Sequence, residues 1–197
     1  ILDIGCGRGK ILGTLSSKLK LKNKPIGLDI TNHKDKDKRI IFKKQDALAF
    51  LTHNKKKFDL ILIKQTIHLL SFSKIKKLLD ISKKSLSSNG KIFIFTLDTK
   101  KNEIPTFTLM NYKLKKSLQR DTKILNMIKN KYHKYIKKQF VYEVKISKKV
   151  YLKMIYNKYI STLLSMSQKQ ILSGIDEIKH KYKKNLNFKD KLICLIL

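Results

Sequence analysis

The most constraining feature of the sequence is its first ten residues, ILDIGCGRGK, in which three glycines follow a short apolar run at two-residue spacing. Gly5, Gly7 and Gly9 carry no Cβ, so the backbone there can turn sharply and pass close to a ligand. The run ILDIG has the length and composition of a buried parallel strand, and helical periodicity follows Gly9. A helix beginning there offers free N–H groups to polar ligand atoms. The sequence therefore predicts an α/β fold with a ligand at its first turn.

Strands and helices continue to alternate through the first half of the chain. Apolar runs predict further strands at 25–30, 39–46, 57–64 and 91–97, and helical spacing predicts helices over 10–21, 47–53 and around 75–86. The segment SSNG at 87–90 carries the glycine signal that ends a helix. This alternation predicts a doubly wound parallel sheet covered on both faces. Such sheets bind ligands at the carboxyl ends of their strands.

The second half of the chain is less regular. Its pattern predicts two amphipathic helices within 105–138, a strand at 140–147, a helix over 149–163 and a final strand at 186–197. Ser167 and Gln170 have the spacing of a capping box, which predicts that another helix begins there. Because the chain has no internal repeat and no linker rich in proline or glycine, we predict a single domain over 1–197.

The spacing of the glycines and the acid before them indicate the kind of ligand. The pattern is G-x-G-x-G, which differs from the G-x-G-x-x-G of dinucleotide sites and from a phosphate loop ending in G-K-[ST]. Asp3 directly precedes the turn, and its carboxylate would repel a pyrophosphate. It suits a ligand that carries positive charge. S-adenosylmethionine, with a sulfonium and an ammonium group, fits that requirement.

The segment ILDIGCGRG resembles motif I of the class I S-adenosylmethionine-dependent methyltransferases, of the methyltransferase type 11-like kind. The resemblance continues in order through IGLDI, KKQDALAF, FDLILIKQTIHLL and LSSNGKIFIF, and it spans residues 1–97. It implies a Rossmann-like, mostly parallel seven-stranded sheet whose final strand is antiparallel at the edge. It also implies that 1–97 is the cofactor-binding half and that 98–197 supplies the substrate cover and the last two strands.

The resemblance also implies a set of cofactor-binding residues. Asp3 and the three glycines would surround the methionine portion of S-adenosylmethionine, Asp29 would accept hydrogen bonds from the ribose hydroxyls, and Asp46 would accept one from the adenine amino group. Asp29 and Asp46 have an alternative interpretation as a turn residue or a helix N-cap. The full set comprises Asp3, Gly5, Cys6, Gly7, Gly9, Asp29, Ile30, Asp46, Ala47 and Lys64.

His68 is the candidate catalytic residue, because it follows the fourth predicted strand within one helical turn and histidine titrates near neutral pH. The alternative is a histidine that only packs or forms hydrogen bonds. Methyl transfer needs no catalytic side chain unless the nucleophile starts protonated, since the sulfonium is already an activated leaving group. Neither Cys6 nor Cys194 has the spacing of a metal ligand, so no metal site is expected.

The sequence leaves three hypotheses open for the function of the protein. The C-terminal segments loosely resemble small-molecule methyltransferases of the trans-aconitate and ubiquinone-biosynthesis type, which favours transfer to a small organic acceptor by in-line displacement. QDALAF and TIHLL are also similar to tRNA wobble-uridine carboxymethyl methyltransferases, so a tRNA- or RNA-modifying enzyme is the first alternative. A catalytically inactive cofactor-binding scaffold is the second.

The net charge bears on the choice between a small-molecule and an RNA acceptor. The number of cysteines bears on the cellular compartment. With 46 basic and 14 acidic residues the net charge is +32, which predicts attraction to nucleic acid that weakens with salt. The scarcity of arginine, alanine and proline fits compositional drift in an AT-rich genome, which explains the many lysines better than it explains the scarcity of glutamate. Two distant cysteines predict a reducing, cytoplasmic location, and no apolar run approaches the roughly 20 residues of a membrane span. The chain begins inside a strand, so we expect an N-terminally truncated fragment; its oligomeric state is left open.

Overall fold

The computed structural model describes residues 1–100, 102–182 and 185–197, which form seven strands and six α-helices. The strands are β1 (Leu2–Ile4), β2 (Ile26–Asp29), β3 (Ile41–Lys44), β4 (Phe58–Lys64), β5 (Leu86–Leu97), β6 (Ile136–Ser147) and β7 (Asn185–Ile196). The helices are α1 (Lys10–Lys18), α2 (Ala47–His53), α3 (Phe72–Lys84), α4 (Thr108–Lys131), α5 (Lys148–Tyr156) and α6 (Gln168–Lys181). The predicted alternation in the first half is confirmed.

The strands form one sheet in the order β3-β2-β1-β4-β5-β7-β6. The first five pair in parallel, and β1 lies between β2 and β4, so the strand order reverses there. Ile92 of β5 and Leu197, just beyond β7, exchange both backbone hydrogen bonds at 3.1 and 3.0 Å, which is the pattern of an antiparallel pair. The Rossmann-like, mostly parallel fold is confirmed. The final strand is antiparallel as expected, but β6 and not β7 is outermost.

The positions of the Cα atoms group the chain into two compact units. The first comprises residues 1–96, 128–138 and 193–197, and the second comprises residues 97–127 and 139–192 where they are described. The first unit buries the apolar runs of β1, β4 and β5, whose isoleucines are at most 3% exposed, as is typical of a parallel sheet that is covered on both faces. The second has its own apolar cluster, which includes Phe107, Met110, Tyr151 and Ile171. The single domain over 1–197 stays a prediction.

SSNG does not end a helix, contrary to the prediction. Helix α3 ends at Lys84, and residues 87–90 belong to β5, which begins at Leu86. The pairing of β4 with β5 is irregular between Phe58 and Leu60, opposite this segment. A Cβ on Gly90 would lie 2.6 Å from the Phe58 carbonyl oxygen, so this glycine permits a close approach of two strands. The same residue type that predicts a helix terminus here serves a strand irregularity.

The two helices predicted within 105–138 are one helix, α4, of 24 residues. Its sequence contains neither glycine nor proline, and Pro105 is the last proline before it, so nothing in the backbone interrupts it. Buried Met110, Leu114, Ile124 and Ile128 recur at helical spacing along its length. Most of the polar residues between them form its exposed face and not a break; Asp121 is the exception, since it is only 4% exposed and lies within the buried stripe.

Two helices end earlier than their periodicity predicts, and for the same reason. After α5, the N–H of Lys158 donates to the Ile155 carbonyl at 2.9 Å and that of Tyr159 donates to the Met154 carbonyl at 3.0 Å. This is the Schellman arrangement, and Lys158 has the left-handed φ of 51° that it requires. Lys20 has a φ of 48° after α1. Glycine usually occupies this position, so a lysine there gives no sequence signal.

Replacing a left-handed lysine at a helix end by glycine is expected to stabilise the protein. Lys20→Gly, at an exposed position after α1, removes the left-handed strain of a residue with a Cβ and should raise the free energy of unfolding by about 0.5–1 kcal/mol, whereas Lys158 also donates a hydrogen bond to the Met166 carbonyl that glycine would lose. Lys153→Gly, within α5, should instead lower it by about 1 kcal/mol. Urea unfolding followed by circular dichroism compares the two. Destabilisation by both substitutions would contradict the assigned helix end.

Candidate functional site: the glycine turn and the strand ends around it

The glycine turn between β1 and α1 is held in place by hydrogen bonds to β2. The N–H groups of Gly5 and Cys6 both donate to the Leu28 carbonyl at 2.9 Å. Gly5, Gly7 and Gly9 have φ values of 73°, 55° and 72°, in the left-handed region where a Cβ is strained. The sequence-predicted turn is therefore present, with α1 beginning directly after it at Lys10.

The three glycines differ in what surrounds them. A Cβ on Gly5 would lie 2.2 Å from the Thr66 hydroxyl oxygen, and one on Gly9 would lie 2.2 Å from the Ile40 side chain. A Cβ on Gly7 would meet nothing within 4 Å. Gly5 and Gly9 are thus required by packing inside the protein, whereas the space beside Gly7 is open to a ligand.

Asp3 lies at the centre of β1, directly before the turn, and is only 4% exposed. It pairs in register with Gly27 of β2 and Leu62 of β4. Its Oδ1 is buried and has no hydrogen-bond partner among the residues that the structure describes. Burial raises the pKa of Asp3 to about 7; the Lys64 ammonium opposes this shift and the Asp29 carboxylate adds to it. A buried carboxyl with an unused oxygen is suited to a cationic ligand.

Asp29 ends β2 and faces the turn. Its Oδ2 accepts a hydrogen bond from the Gly7 N–H at 2.8 Å, and its Oδ1 accepts one from the Thr31 N–H at 2.8 Å. His33 Nε2 is 3.9 Å from the same Oδ1. Each carboxylate oxygen can accept a further hydrogen bond, so Asp29 is oriented by the protein while keeping capacity for ligand hydroxyls.

Ile30, Asp46 and Ala47 lie at the ends of β2 and β3. Ile30 follows Asp29 and is 72% exposed, which is unusual for so large an apolar side chain. Asp46 comes two residues after Lys44, the partner of Asp29 in the sheet register. It caps α2, with Oδ1 accepting a hydrogen bond from the Ala49 N–H at 3.0 Å, and Ala47 is the first residue of that helix. The N-cap interpretation of Asp46 is therefore observed, and the residue is exposed.

The end of β4 contributes Lys64 and the residues after it. Lys64 is half-buried, and its ammonium is close enough to Asp3 to affect the pKa of that carboxyl. Gln65 has a left-handed φ of 50° and donates its N–H to the Phe95 carbonyl at 2.8 Å. Thr66 is placed over Gly5, and its hydroxyl lies 3.3 Å from the Gly5 carbonyl oxygen. His68 lies in a single 3₁₀ turn, Ile67–Leu69, and is half-buried.

Four of the predicted site residues are close enough to affect one another's charge state. Burial, together with the Asp3 and Asp29 carboxylates, raises the pKa of the Cys6 thiol to about 12. Asp3 is in turn affected by Lys64 and Asp29. The structure thus brings Asp3, Cys6, Asp29 and Lys64 together beside Gly7, with Asp46 and Ala47 at the adjacent strand end. The role of His68 stays a prediction.

Three residues of this region were missed from the sequence. Thr66 fills the space that Gly5 leaves empty, His33 approaches Asp29 and Asp37 approaches α1. Asp37 is buried and paired with Arg39, which lowers its pKa, and the Cβ position of Gly13 lies 2.5 Å from the Asp37 carboxyl carbon. Of these contacts, the one between Asp29 and His33 had a signal in the sequence, because the two residues are four positions apart and Asp29 ends β2.

Neither a cluster of metal ligands nor a membrane-spanning helix is present among the residues that the structure describes. Within 1–100, 102–182 and 185–197, no group of three or more His, Cys, Asp or Glu side chains is arranged to hold a metal ion. Over the same residues, no helix combines the length and hydropathy needed to cross a membrane.

Comparison with known proteins identifies the family. The model of the family described as methyltransferase domain matches residues 1–158, and the chain therefore belongs to that family. It is a class I S-adenosylmethionine-dependent methyltransferase by fold and family, and S-adenosylmethionine is the cofactor of that family. No curated protein is similar enough to this chain to count as a match.

Solved structures similar to this chain have the same fold at low identity. A putative methyltransferase from an antibiotic biosynthesis pathway of Anabaena variabilis has a TM-score of 0.62 and 14% identity, covering 98% of this chain and 88% of that one. A methyltransferase of Geobacter sulfurreducens, in complex with S-adenosyl-L-homocysteine, has a TM-score of 0.57 and 13% identity over 100% and 83%. A methyltransferase of Archaeoglobus fulgidus has a TM-score of 0.55 and 19% identity, covering 99% of this chain and 84% of that one.

The residues of the turn fit the family's cofactor. The unpartnered Oδ1 of Asp3 offers a buried acceptor for positive charge, and the open space beside Gly7 leaves room at the turn. The carboxylate of Asp29 is fixed next to it by the Gly7 N–H. Each feature suits a ligand that combines a cationic group with hydroxyls.

The raised pKa of Asp3 predicts a measurable dependence of stability on pH. An unfolded Asp3 loses its proton near pH 3.8 and the folded one near 7, so the folded state loses stability as pH rises between these values, by up to about 4 kcal/mol. Relative to that of the wild type, the free energy of unfolding of Asp3→Asn should therefore rise by up to that amount between pH 4 and pH 8. Urea unfolding at several pH values tests this.

The matched control is Asp59→Asn, which removes the same charge from the exposed start of β4. It should show little of the gain expected for Asp3→Asn. A gain of equal size in both variants would mean that net charge, and not burial of Asp3, sets the pH dependence.

The glycines of the turn should separate by their effect on stability. Gly5→Ala introduces a Cβ into the Thr66 side chain as well as left-handed strain, and should lower the free energy of unfolding by about 3 kcal/mol or more. Gly7→Ala adds only the strain, about 1–2 kcal/mol. Thermal and urea unfolding measure both. An equal loss in the two variants would contradict the packing difference.

Proposed function

We propose that this protein transfers a methyl group from S-adenosylmethionine to a small organic acceptor. The observation that carries the proposal is the buried carboxyl of Asp3, whose Oδ1 lacks a partner among the described residues and which lies beside the open Gly7 and the oriented Asp29. Keeping an unpaired acceptor buried is unfavourable unless a ligand uses it. The match of the family model to residues 1–158 supports the same activity.

The cofactor-binding roles follow from the resemblance together with the placement of the residues. Asp3 and the turn at Gly5–Gly9 would hold the positively charged methionine portion, and Asp29 would hold the ribose hydroxyls. Exposed Ile30, Asp46 and the N–H of Ala47 would bind the adenine. The bound cofactor supplies an activated methyl group on a sulfonium.

Because the cofactor supplies an activated methyl group, the protein's own residues need only position the reactants and, for a protonated acceptor, remove a proton. They hold the two reactants in line and exclude water, and such orientation contributes several kcal/mol to catalysis. Asp3 takes part through its charge, because a cation beside it would favour the carboxylate over the protonated form that burial stabilises. His68, half-buried in the turn after β4, is the candidate to accept a proton if the acceptor atom starts protonated.

The choice of a small acceptor rests on two supports. The C-terminal segments loosely resemble small-molecule methyltransferases, and one solved structure of the same fold is described as a putative methyltransferase of an antibiotic biosynthesis pathway. The net charge of +32 favours RNA as a second candidate acceptor. Only three of the basic residues are arginine, the side chain best suited to specific phosphate and base contacts, and this counts against RNA.

Binding of S-adenosylmethionine tests the cofactor site directly. Asp3→Asn and Asp29→Asn should each weaken binding at least about tenfold in calorimetry, since each removes a charged acceptor of hydrogen bonds. Wild-type affinity should rise between pH 6 and 8 as Asp3 loses its proton, and this rise should be absent in Asp3→Asn. Asp59→Asn serves as the control of equal charge change and should bind as the wild type does.

Transfer of a labelled methyl group then distinguishes the acceptors. Pools of small carboxylic acids and phenols are compared with total tRNA at about 50 and about 200 mM salt. Label in the small-molecule pool supports the proposal, whereas label in tRNA selects the second candidate. Tight cofactor binding with no label in either would indicate a scaffold without activity, and failure of all variants to differ in binding would overturn the site itself.

A further inference from the structure

The segment from 111 to 160 differs in composition from the rest of the chain. It contains 15 basic and 2 acidic residues, whereas the remainder contains 31 basic and 12 acidic ones. It also contains seven of the eight tyrosines. Tyr132 and Tyr151 are buried, but the other five are between 37% and 71% exposed. The segment therefore combines lysines that it cannot neutralise itself with aromatic rings that the core does not use.

Part of this segment forms one side of a shallow groove of about 390 Å³ that lies entirely within the second compact unit. The first half of α4 lines one side and the residues after α5 line the other, among them Tyr112, Lys113, Lys116, Ser161, Thr162 and Ser165. The Lys113 ammonium donates to the Ser165 hydroxyl at 2.8 Å, so the two sides are joined. No acidic residue lines this groove, every lining residue of which is described. It presents ammonium and hydroxyl donors without a carboxylate that would neutralise them.

Two of the exposed tyrosines belong to this groove or its border. Tyr112 lines it and is 55% exposed, and the Lys116 ammonium lies 4.5 Å from the centre of its ring. Tyr159 is 71% exposed and comes two residues before Ser161, so the two Cα atoms are at most about 7 Å apart. Its backbone is held by the hydrogen bond to the Met154 carbonyl. Both rings are thus available to a flat ligand beside the positive charge.

Charge and aromatic rings together select the class of ligand. An acidic peptide would satisfy the lysines and leave the rings unused, and an apolar molecule would leave the lysines unused. A single-stranded nucleic acid carries phosphates together with flat unpaired bases, and its binding sites combine basic side chains with aromatic rings. Stacking does not require the guanidinium fork that base-specific contacts favour, so the scarcity of arginine is compatible with this ligand.

We propose that this groove binds single-stranded nucleic acid without sequence preference. Bases stack on Tyr112 and Tyr159, and the ammonium groups of Lys113 and Lys116 bind the phosphates between them. The bound strand need not be the methyl acceptor. The test therefore requires no active enzyme, and its outcome is separate from that of the proposed methyl transfer.

Fluorescence anisotropy with labelled probes of about 12 units, on the full chain, tests the chemistry of the ligand. Oligothymidylate should bind at least about tenfold more tightly than a strand of the same length without bases, because only the former can stack. A duplex of that length and a peptide of glutamates should also bind more weakly. Equal affinity for oligothymidylate and the baseless strand would overturn the proposal. Tighter binding of the glutamate peptide would overturn it in favour of an acidic protein partner.

Oligouridylate of the same length distinguishes RNA from DNA as the source of the strand. It should bind within about tenfold of oligothymidylate, because stacking and phosphate contacts are open to both. Failure of oligouridylate to exceed the baseless strand would contradict binding through stacked bases.

Tyrosine variants test the place of stacking. Tyr112→Ala should weaken oligothymidylate binding at least about fivefold, whereas Tyr112→Phe keeps the ring and should stay within about twofold. The matched control is Tyr142→Ala, which removes a ring that is 52% exposed on β6 and does not line the groove. It should bind within about twofold of the wild type. Equal weakening by Tyr112→Ala and Tyr142→Ala would contradict the assigned site.

Lysine variants test the phosphate contacts through their dependence on salt. Lys116→Gln should reduce the slope of log K against log salt by about 0.7, the value for one phosphate contact on a single strand. Lys149→Gln removes the same charge from an exposed position of α5 outside the groove and should leave the slope unchanged. Unfolding of each variant without ligand separates a loss of binding from a loss of fold. An equal change of slope in both variants would mean that binding is spread over the charged surface, and the site would be abandoned.

Discussion

The structure of the candidate cofactor site depends on one interaction, the donation of two consecutive backbone N–H groups to a single carbonyl. Gly5 and Cys6 both bond to Leu28 of the neighbouring strand, and this fixes the direction in which the chain leaves β1. The next donor along the turn, the Gly7 N–H, then reaches the Asp29 carboxylate. Backbone geometry thereby sets the orientation of a side chain 22 residues away, before any ligand is considered.

The same arrangement explains why Asp3 is both unfavourable for folding and useful. It lies in the most buried strand, between two parallel neighbours, where a carboxylate has lost its water and gained no full set of partners. A sequence under selection for stability alone would place an apolar residue there. Groups that lower stability while waiting for a ligand are characteristic of functional sites, where activity and stability are in opposition.

The sequence predicts the fold well where local pattern and tertiary structure agree. The apolar runs of β1 and β4 and the second half of β5 are predictable because they are buried in the sheet, whereas β3, which is mostly exposed, is predicted mainly from its place in the alternation with helices. Helix ends were less predictable, since Lys20 and Lys158 take left-handed conformations that their residue type does not favour. Within the candidate site, Asp3 and Gly7 were predicted from the glycine motif and Asp29 from the resemblance to the methyltransferase family, whereas Thr66 was not predicted. Its contact with Gly5 links positions 61 residues apart, and no local pattern records such a pair.

Cys6 illustrates what the electrostatics of this turn prevent. A deprotonated sulfur is a strong nucleophile, and Cys6 belongs to the turn that is proposed to hold a cofactor with an electrophilic methyl group. With a pKa of about 12, only about one molecule in 100,000 carries the thiolate at pH 7. The two aspartates that favour a cationic ligand also disfavour the anionic sulfur, since all three charges share one small volume. With the cofactor bound as proposed, the protonated thiol would be a poor acceptor of its methyl group.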